Sequence, residues 1–232
     1  MEFAPEGPKA IPLWVNGHAF LTVAEGFHEV VNPLTGEALY RVPLCGREEA
    51  VAAVAAARAA QPLWAALKEQ ARQDALEALA AALDGYSEHF ARLLQAETGF
   101  AEDQALAEVA AALAALRGAV VGETGVVAIV VDATRPLAGF AEAAAPALRA
   151  GATVIVKPSP KAPSAAFALC ELSARAEWPA GVLNLMQGDS AAIEGLCGAD
   201  TDRLVFVGAV ALGAKVGAIA DSAGKPFAMV EA

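Results

Sequence analysis

The chain has 232 residues, of which 56% are hydrophobic, and it carries a formal net charge of −11. This acidic balance disfavours nucleic acid and anionic membrane surfaces as partners, and no apolar stretch reaches the roughly 20 residues of a membrane-spanning helix. Three cysteines without CxxC spacing and a start without a signal-peptide pattern predict a cytoplasmic protein, and three scattered histidines predict no metal site.

Short strands and turns are predicted at the start of the chain. Residues 13–15 form a short apolar run, which is followed by the strong turn signal Asn16-Gly17. Residues 28–31 and 39–42 resemble two further strands. The sequence NPLTG between them combines the fixed φ of proline with the conformational freedom of glycine. We therefore expect this part of the chain to form strands joined by tight turns.

Three helices are predicted next, over residues 47–60, 68–96 and 101–117. The first is dense in alanine, and the other two repeat large apolar residues at three- and four-residue steps, which places them on one helical face. Gly85 lies inside the second pattern and is expected to cost about 1 kcal/mol relative to alanine. These apolar faces are typical of helices that pack on a core.

The pattern changes after Gly118 to short apolar runs that alternate with helical stretches. The runs cover residues 126–131, 153–156, 182–185, 204–207 and 227–230, and the stretches between them cover residues 137–150, 163–176, 189–197 and 212–222. This alternation predicts βαβ crossovers and a parallel sheet. The expected fold is α/β. A helical N-terminal layer with short strands (1–118) packs on a five-stranded parallel Rossmann-like sheet (119–232), and together they form one compact unit.

Ligands of an open parallel sheet bind beyond the carboxyl ends of its strands. Residues 208–213 follow the fourth run and lead into a helix, whose first backbone N–H groups can hold a phosphate. A tight turn that needs small residues explains the same stretch. Lys157 follows the second run, where it can reach a ribose or a phosphate or can be a solvated lysine at a strand end.

Several stretches of the sequence resemble the aldehyde dehydrogenase superfamily, in order and over nearly the whole chain. They are WVNG at residues 14–17, VNPLTGE at 31–37, AVAAV at 50–54, ETG at 97–99, APALRAGATVIVKPS at 145–159 and FVGA at 206–209. The resemblance implies the fold of that family and descent from enzymes that oxidise aldehydes with NAD(P). In that chemistry a cysteine thiolate attacks the aldehyde and a hydride passes to the nicotinamide.

The sequence also departs from the family at its cofactor and oxyanion positions. Thr134 stands where the family has an oxyanion-binding asparagine, and the loss of such a donor typically costs about 2.7–4 kcal/mol. Pro160 replaces a ribose-binding acid, and Ala209 replaces a serine that faces the pyrophosphate. The cofactor-binding positions that the resemblance implies, expected to bind NAD(P) weakly or not at all, are Lys157, Ser159, Gly188, Gly208, Ala209 and Gly213.

The family's nucleophilic cysteine lies beyond the strand with which this sequence stops, so no catalytic residue is expected. Thr134 and Glu231 are regarded as vestigial catalytic positions, and Cys45, Cys170 and Cys197 as small buried side chains. The family's oligomer-building hairpin is expected to be replaced by residues 119–124, and its C-terminal arm to be absent. One sheet edge and the face that the catalytic domain usually covers should therefore be exposed.

Three functions are compatible with these observations. The first is a non-catalytic pseudoenzyme that acts as a structural or regulatory partner, for example of a full-length dehydrogenase. The second is a module that binds NAD(P) or another nucleotide through Lys157 and residues 208–213. The third is an NAD(P)-dependent aldehyde oxidoreductase that another chain completes. The first is preferred, because function is argued from the site and not from the fold.

Overall fold

The computed structural model describes residues 9–231, which form eight helices and nine strands. The strands are β1 (Leu13–Val15), β2 (His18–Phe20), β3 (Phe27–Val31), β4 (Ala38–Pro43), β5 (Val126–Val131), β6 (Thr153–Lys157), β7 (Leu183–Leu185), β8 (Arg203–Gly208) and β9 (Phe227–Glu231). The helices are α1 (Arg47–Ala65), α2 (Glu69–Gly85), α3 (Ser87–Thr98), α4 (Glu102–Arg117), α5 (Ala138–Arg149), α6 (Ser164–Arg175), α7 (Ser190–Gly198) and α8 (Val210–Ser222). The first residues of the chain, on which the prediction of no signal peptide rests, lie outside this range.

The main sheet has the strand order β2-β1-β7-β6-β5-β8-β9. Its five strands from β7 to β9 pair in parallel, as predicted. The prediction of five strands was nevertheless too low, because β1 and β2 extend the sheet to seven strands by antiparallel pairing. The side chains of β1 are buried, and the Asn16 N–H beyond it donates to Asn184 Oδ1 at 3.0 Å.

The helix predicted over residues 68–96 is broken into α2 and α3. The break falls at Gly85 and Tyr86, where the backbone of Tyr86 has φ −116° and ψ 15°. The Ser87 hydroxyl donates to the carbonyl of Asp84 at 2.8 Å, which satisfies a backbone group at the end of α2. The cost of a glycine and this local hydrogen bond together outweigh the continuity of the apolar stripe.

Two apolar cores lie on opposite faces of the sheet, and β5 contributes to both. Val127, Ile129 and Val131 face a core that is shared with helices α2 to α6. Val126, Ala128 and Val130 face a second core that is shared with α1, α7 and α8. A strand covered by helices on both faces is expected to be apolar at every position, as β5 is. None of the helices within residues 9–231 is long and apolar enough to cross a lipid bilayer.

The buried Arg149 joins the helical layer to the segment between α4 and β5. Its guanidinium donates to the carbonyls of Ala115 and Leu116, at 2.8 and 2.6 Å, and to that of Val120 at 3.2 Å. Its Nε donates to Gln73 Oε1 at 2.9 Å. Arg149 therefore supplies donors to carbonyl groups at the end of α4, where the only backbone donor to them within residues 9–231 is the N–H of Gly118, which bonds to Ala115.

Candidate functional site

A cleft of about 270 Å³ lies at the carboxyl ends of β5, β6 and β8, between helices α7 and α8. Its apolar walls include Val130, Ile193, Phe206, Leu212, Val216 and Ile219. Its polar residues are Asp132, Lys157, Ser159, Asp189, Ser190 and Lys215. This position follows from the topology, since residues after neighbouring parallel strands meet at one edge of the sheet.

Lys157 is the last residue of β6, and its side chain is 3% exposed. Its Nζ donates to the carbonyl oxygen of Pro158 at 2.9 Å. Burial lowers the pKa of Lys157 to about 8, although the negative charge of Asp189 opposes this change. The lysine is therefore a buried amine that lines the cleft and not a solvated lysine at a strand end.

The Asp132 carboxylate covers the start of helix α8. Its Oδ2 accepts the backbone N–H of Ala209 at 2.7 Å, and its Oδ1 accepts the N–H of Thr134 at 2.8 Å and also the Thr134 hydroxyl. Gly208 has φ 152°, and a methyl group added there would overlap the Asp132 carboxylate. The position where a helix start could receive a phosphate is thus occupied by a negative group of the protein itself.

The other helices that follow parallel strands also begin against a carboxylate. Glu108 accepts the N–H of Ala138 at the start of α5 (3.0 Å), and Asp189 accepts the N–H of Ala191 at the start of α7 (3.0 Å). Glu97 accepts the N–H and the hydroxyl of Ser164 at the start of α6, the first at 3.1 Å. The positive ends of α5, α6, α7 and α8 are therefore compensated internally, which disfavours a further anion.

Burial raises the pKa of the Glu97 carboxyl to about 7, and the two hydrogen bonds from Ser164 oppose this rise only in part. Glu97 belongs to the ETG motif at the end of α3 and is 5% exposed. It connects the helical layer to the sheet helix α6. Its titration therefore lies at a contact between the two layers and outside the cleft.

The structure brings together only some of the residues predicted for the cofactor. Lys157 and Ser159 line the cleft, and Gly208 and Ala209 contact Asp132 at its edge. Gly188 and Gly213 do not line it.

Those two glycines permit close packing of the backbone. A methyl group at Gly188, which has φ 129°, would lie 2.9 Å from the carbonyl oxygen of Cys45. One at Gly213 would overlap the sulfur of Met229, on the neighbouring strand β9.

The two vestigial catalytic residues, Thr134 and Glu231, have different surroundings in the structure. The Thr134 hydroxyl donates to Asp132, so it is held by a neighbour two residues away. Glu231 is exposed at the end of β9, in register with Gly208 of β8. Neither side chain lines the cleft.

Sequence reasoning missed Asp132, Asp189 and Lys215 as cleft residues. The signal was present for the two acids, because each follows a strand of the parallel sheet within a few residues. Asp132 also precedes Thr134 by two residues, a spacing typical of a side chain that accepts a backbone N–H in a turn. Lys215 carried no comparable signal, since its direction depends on how α8 packs.

All three thiols of the sequence are buried in the structure. Burial, together with the charge of Glu49, raises the pKa of Cys45 to about 12. Burial also raises the pKa of Cys170 well above its ordinary value, and that of Cys197 in the same direction. Because the thiolate is the reactive form of cysteine, none of these side chains has the environment of an activated nucleophile.

A family model described as the aldehyde dehydrogenase family matches residues 21–122 and 120–230 of the chain. Among curated proteins, the chain is similar to the NADP(+) succinate-semialdehyde dehydrogenase of Escherichia coli strain K12. The identity is 31% over 188 residues, which cover 71% of this chain and 39% of that protein.

Solved structures agree with this match. Lactaldehyde dehydrogenase from Escherichia coli superposes with a TM-score of 0.89 at 25% identity, over 96% of this chain and 52% of that one. A mutant of aldehyde dehydrogenase C from Pseudomonas syringae, in complex with NAD+ and octanal, superposes with a TM-score of 0.87 at 25% identity. That match covers 99% of this chain and 51% of the other. The chain thus spans about half the length of the proteins that it matches.

Proposed function

The chain belongs to the aldehyde dehydrogenase family, and from that premise we propose that it is a non-catalytic member. In this role it acts as a structural or regulatory partner of another protein. The observation that carries the proposal is the Asp132 carboxylate at the start of α8, 2.7 Å from the backbone nitrogen of Ala209.

The residues of the cleft do not fit the pyrophosphate of a dinucleotide. In a Rossmann-like fold that group sits at a helix start that follows a strand. Here the N–H of Ala209 is already bonded, and an entering phosphate would meet the negative charge of Asp132 and, across the cleft, that of Asp189. We therefore expect binding of NAD(P) to be weak or absent.

The buried thiols support the same proposal. The family resemblance implies that aldehyde oxidation requires an attacking thiolate. Each of Cys45, Cys170 and Cys197 has a raised pKa and is enclosed by other side chains. Their unpaired state also favours a reducing compartment, and we place the protein in the cytoplasm as part of this proposal.

A partner role is supported by the surface around β9, one of the two edge strands of the main sheet in residues 9–231. Val210 and Leu212 of α8 are 48% and 43% exposed, and Met229 and Val230 of β9 are 41% and 45% exposed. Met229 lies on the α8 face of the sheet, since a methyl group at Gly213 would overlap its sulfur, whereas the next side chain, Val230, points to the opposite face. We call Val210, Leu212 and Met229 the β9 patch. An apolar patch beside an unpaired strand edge is typical of a surface that another chain covers. The partner that we propose is a full-length dehydrogenase of the same family.

Two measurements on the purified chain test the loss of activity. Titration calorimetry with NAD+ and NADP+ is expected to show no binding tighter than about 1 mM, which corresponds to about −4 kcal/mol. Incubation with either cofactor and a panel of aldehydes is expected to produce no reduced cofactor. Steady production of NADH by the purified chain alone would contradict the proposal.

The partner role is tested by co-elution with a full-length dehydrogenase from the same cells. Met229→Lys places a charge in the β9 patch and is expected to abolish co-elution. Leu34→Lys, at a turn residue that is 76% exposed and lies before β4, serves as the matched control and should retain it. Melting curves of both variants establish that each is folded. A monomer that captures no dehydrogenase would overturn the role.

A nucleotide-binding module is the second candidate, and the cleft itself favours it. Lys157 and Lys215 both line a pocket of about 270 Å³ with apolar walls, which suits a base and a ribose. Calorimetry with adenosine and with AMP separates the candidates. Binding of AMP well below about 1 mM would favour the module, because a phosphate would then be accepted despite Asp132.

A further inference from the structure

The buried amine of Lys157 donates one hydrogen bond and has no ion-pair partner in the described part of the chain. A lysine ammonium has three donors, and Nζ of Lys157 donates to the Pro158 carbonyl at 2.9 Å. Among residues 9–231, the ion pairs with an N–O distance of 4.0 Å or less do not include this lysine. A charged amine that is 3% exposed and lacks an ion pair is costly to bury.

The neutral amine relieves this cost. Burial lowers the pKa of Lys157 to about 8. At pH 8 roughly half of such side chains are neutral, whereas an ordinary lysine with a pKa near 10.4 is less than about 1% neutral. A neutral amine has a free electron pair and is a nucleophile, and desolvation in an apolar pocket is a known way to activate lysine.

We propose that Lys157 captures an uncharged aldehyde in this cleft as a reversible imine. The nitrogen lone pair adds to the carbonyl carbon and forms a C–N bond, while the carbonyl oxygen takes up a proton. The resulting carbinolamine loses this oxygen as water, and both hydrogens of the water derive from the amine. The step needs no oxidant or reductant, so it is independent of the proposed loss of aldehyde oxidation.

The size and charge of the cleft define the class of aldehyde. An apolar cavity of about 150 Å³ can hold benzene, so about 270 Å³ accommodates a benzaldehyde-sized ligand. Phe206, Ile193 and Val216 provide apolar walls for its ring. With Lys157 neutral, the charged side chains that line the cleft are Asp132, Asp189 and Lys215, so the net charge is negative and disfavours an aldehyde that carries a carboxylate or a phosphate.

The test is reductive trapping on the full chain. The protein is mixed with benzaldehyde and cyanoborohydride, which reduces an imine to a stable secondary amine, and the modified peptide is identified by mass spectrometry. We expect Lys157 to be the main site of modification, with a yield that rises as the pH increases through about 8. Carboxybenzaldehyde, the anionic analogue, is expected to label roughly tenfold less.

Two variants complete the test. Lys157→Arg keeps a cation in the cleft but forms no imine, because guanidinium stays protonated, so labelling in the cleft should disappear. Lys161→Arg removes an exposed lysine four residues away and should leave labelling unchanged. Lys157→Met provides a second test if the arginine variant does not fold. Labelling spread evenly over surface lysines, or unchanged in both Lys157 variants, would overturn the proposal.

Discussion

The carboxylate of Asp132 accepts the backbone N–H of Ala209 at 2.7 Å, so the end of one parallel strand closes the start of the helix that follows its neighbour. The same carboxylate also holds Thr134 through the N–H of that residue. A single side chain therefore bonds to two of the residues, Thr134 and Ala209, at which the family resemblance implies contact with substrate or cofactor. Asp132 thus places a negative charge at the start of α8.

Removal of Asp132 should open the start of α8 to anions. In Asp132→Ala the Ala209 N–H loses its partner and the local negative charge disappears, so we expect inorganic pyrophosphate and NAD+ to bind at least about tenfold more tightly, a gain of about 1.4 kcal/mol. Titration calorimetry measures the change. Asp221→Asn, an exposed change of the same charge at the far end of α8, controls for net charge. Equal affinities in the two variants would contradict the role of Asp132.

Glu97 should make stability depend on pH. Its pKa is about 7 in the folded protein and lies above the ordinary value of a glutamate, so the folded state binds more protons between these two values. Its contribution to stability is fully present below about pH 4 and is lost as the pH rises through about 7.

Urea unfolding between about pH 5 and pH 8 should therefore show a loss of stability of roughly 1–3 kcal/mol that Glu97→Gln removes. Glu88→Gln lies on the same helix, and the Glu88 side chain is 89% exposed, so this variant should keep the wild-type slope. An unchanged slope in Glu97→Gln would show that other groups cause the pH dependence.

Arg149 should be worth more to stability than any exposed arginine. Arg149→Met leaves the buried Leu116 carbonyl without its donor, while the Ala115 carbonyl keeps the N–H of Gly118 and Val120 is exposed. Because a buried unsatisfied group costs about 1–3 kcal/mol, we expect a loss of that size in urea unfolding. Arg92→Met removes an exposed ion pair with Glu88 and should change stability by less than about 0.5 kcal/mol. Similar losses in both variants would argue against this assignment.

Two glycines should respond to alanine in opposite directions. Gly85 has no atom within 4 Å of an added methyl group, so Gly85→Ala is expected to stabilise the protein by about 0.4–1 kcal/mol. Gly181 has φ 85°, and an added methyl group would lie 2.7 Å from the carbonyl oxygen of Ala56, so Gly181→Ala should destabilise by at least about 1 kcal/mol. Thermal melting of both variants checks the sign of each change.

The elements that could be predicted from the sequence are those with a strong period of their own. The run at residues 126–131 became β5 with the same bounds, because a strand buried on both faces is apolar throughout. The alternation of apolar runs and helical stretches also predicted the other strands and the helices of the second half of the chain. The seven-stranded sheet did not, since the three residues of β1 carry no signal for the distant partner β7 with which they pair.

The location of the cleft could be predicted from the sequence, but the contacts of its side chains could not. Parallel topology located Lys157 and residues 208–213 at the same edge of the sheet. That Asp132 turns toward Ala209, and that Lys157 is buried without an ion pair, depend on side-chain directions and packing. Asp132 could be identified from the sequence as an acid that follows a strand. Its contact with helix α8 became known only from the distance between its carboxylate and the N–H of Ala209.

The pairing of β1 with β7 has a consequence for the order of folding. The hydrogen bond from Asn16 to Asn184 joins residues 168 positions apart. During synthesis on a ribosome, most of the chain must emerge before this contact can form. Long-range pairing is slow because loop closure comes before any stabilising contact. We expect Trp14, which lies in β1, to reach its native environment late in refolding, after the local helices have formed.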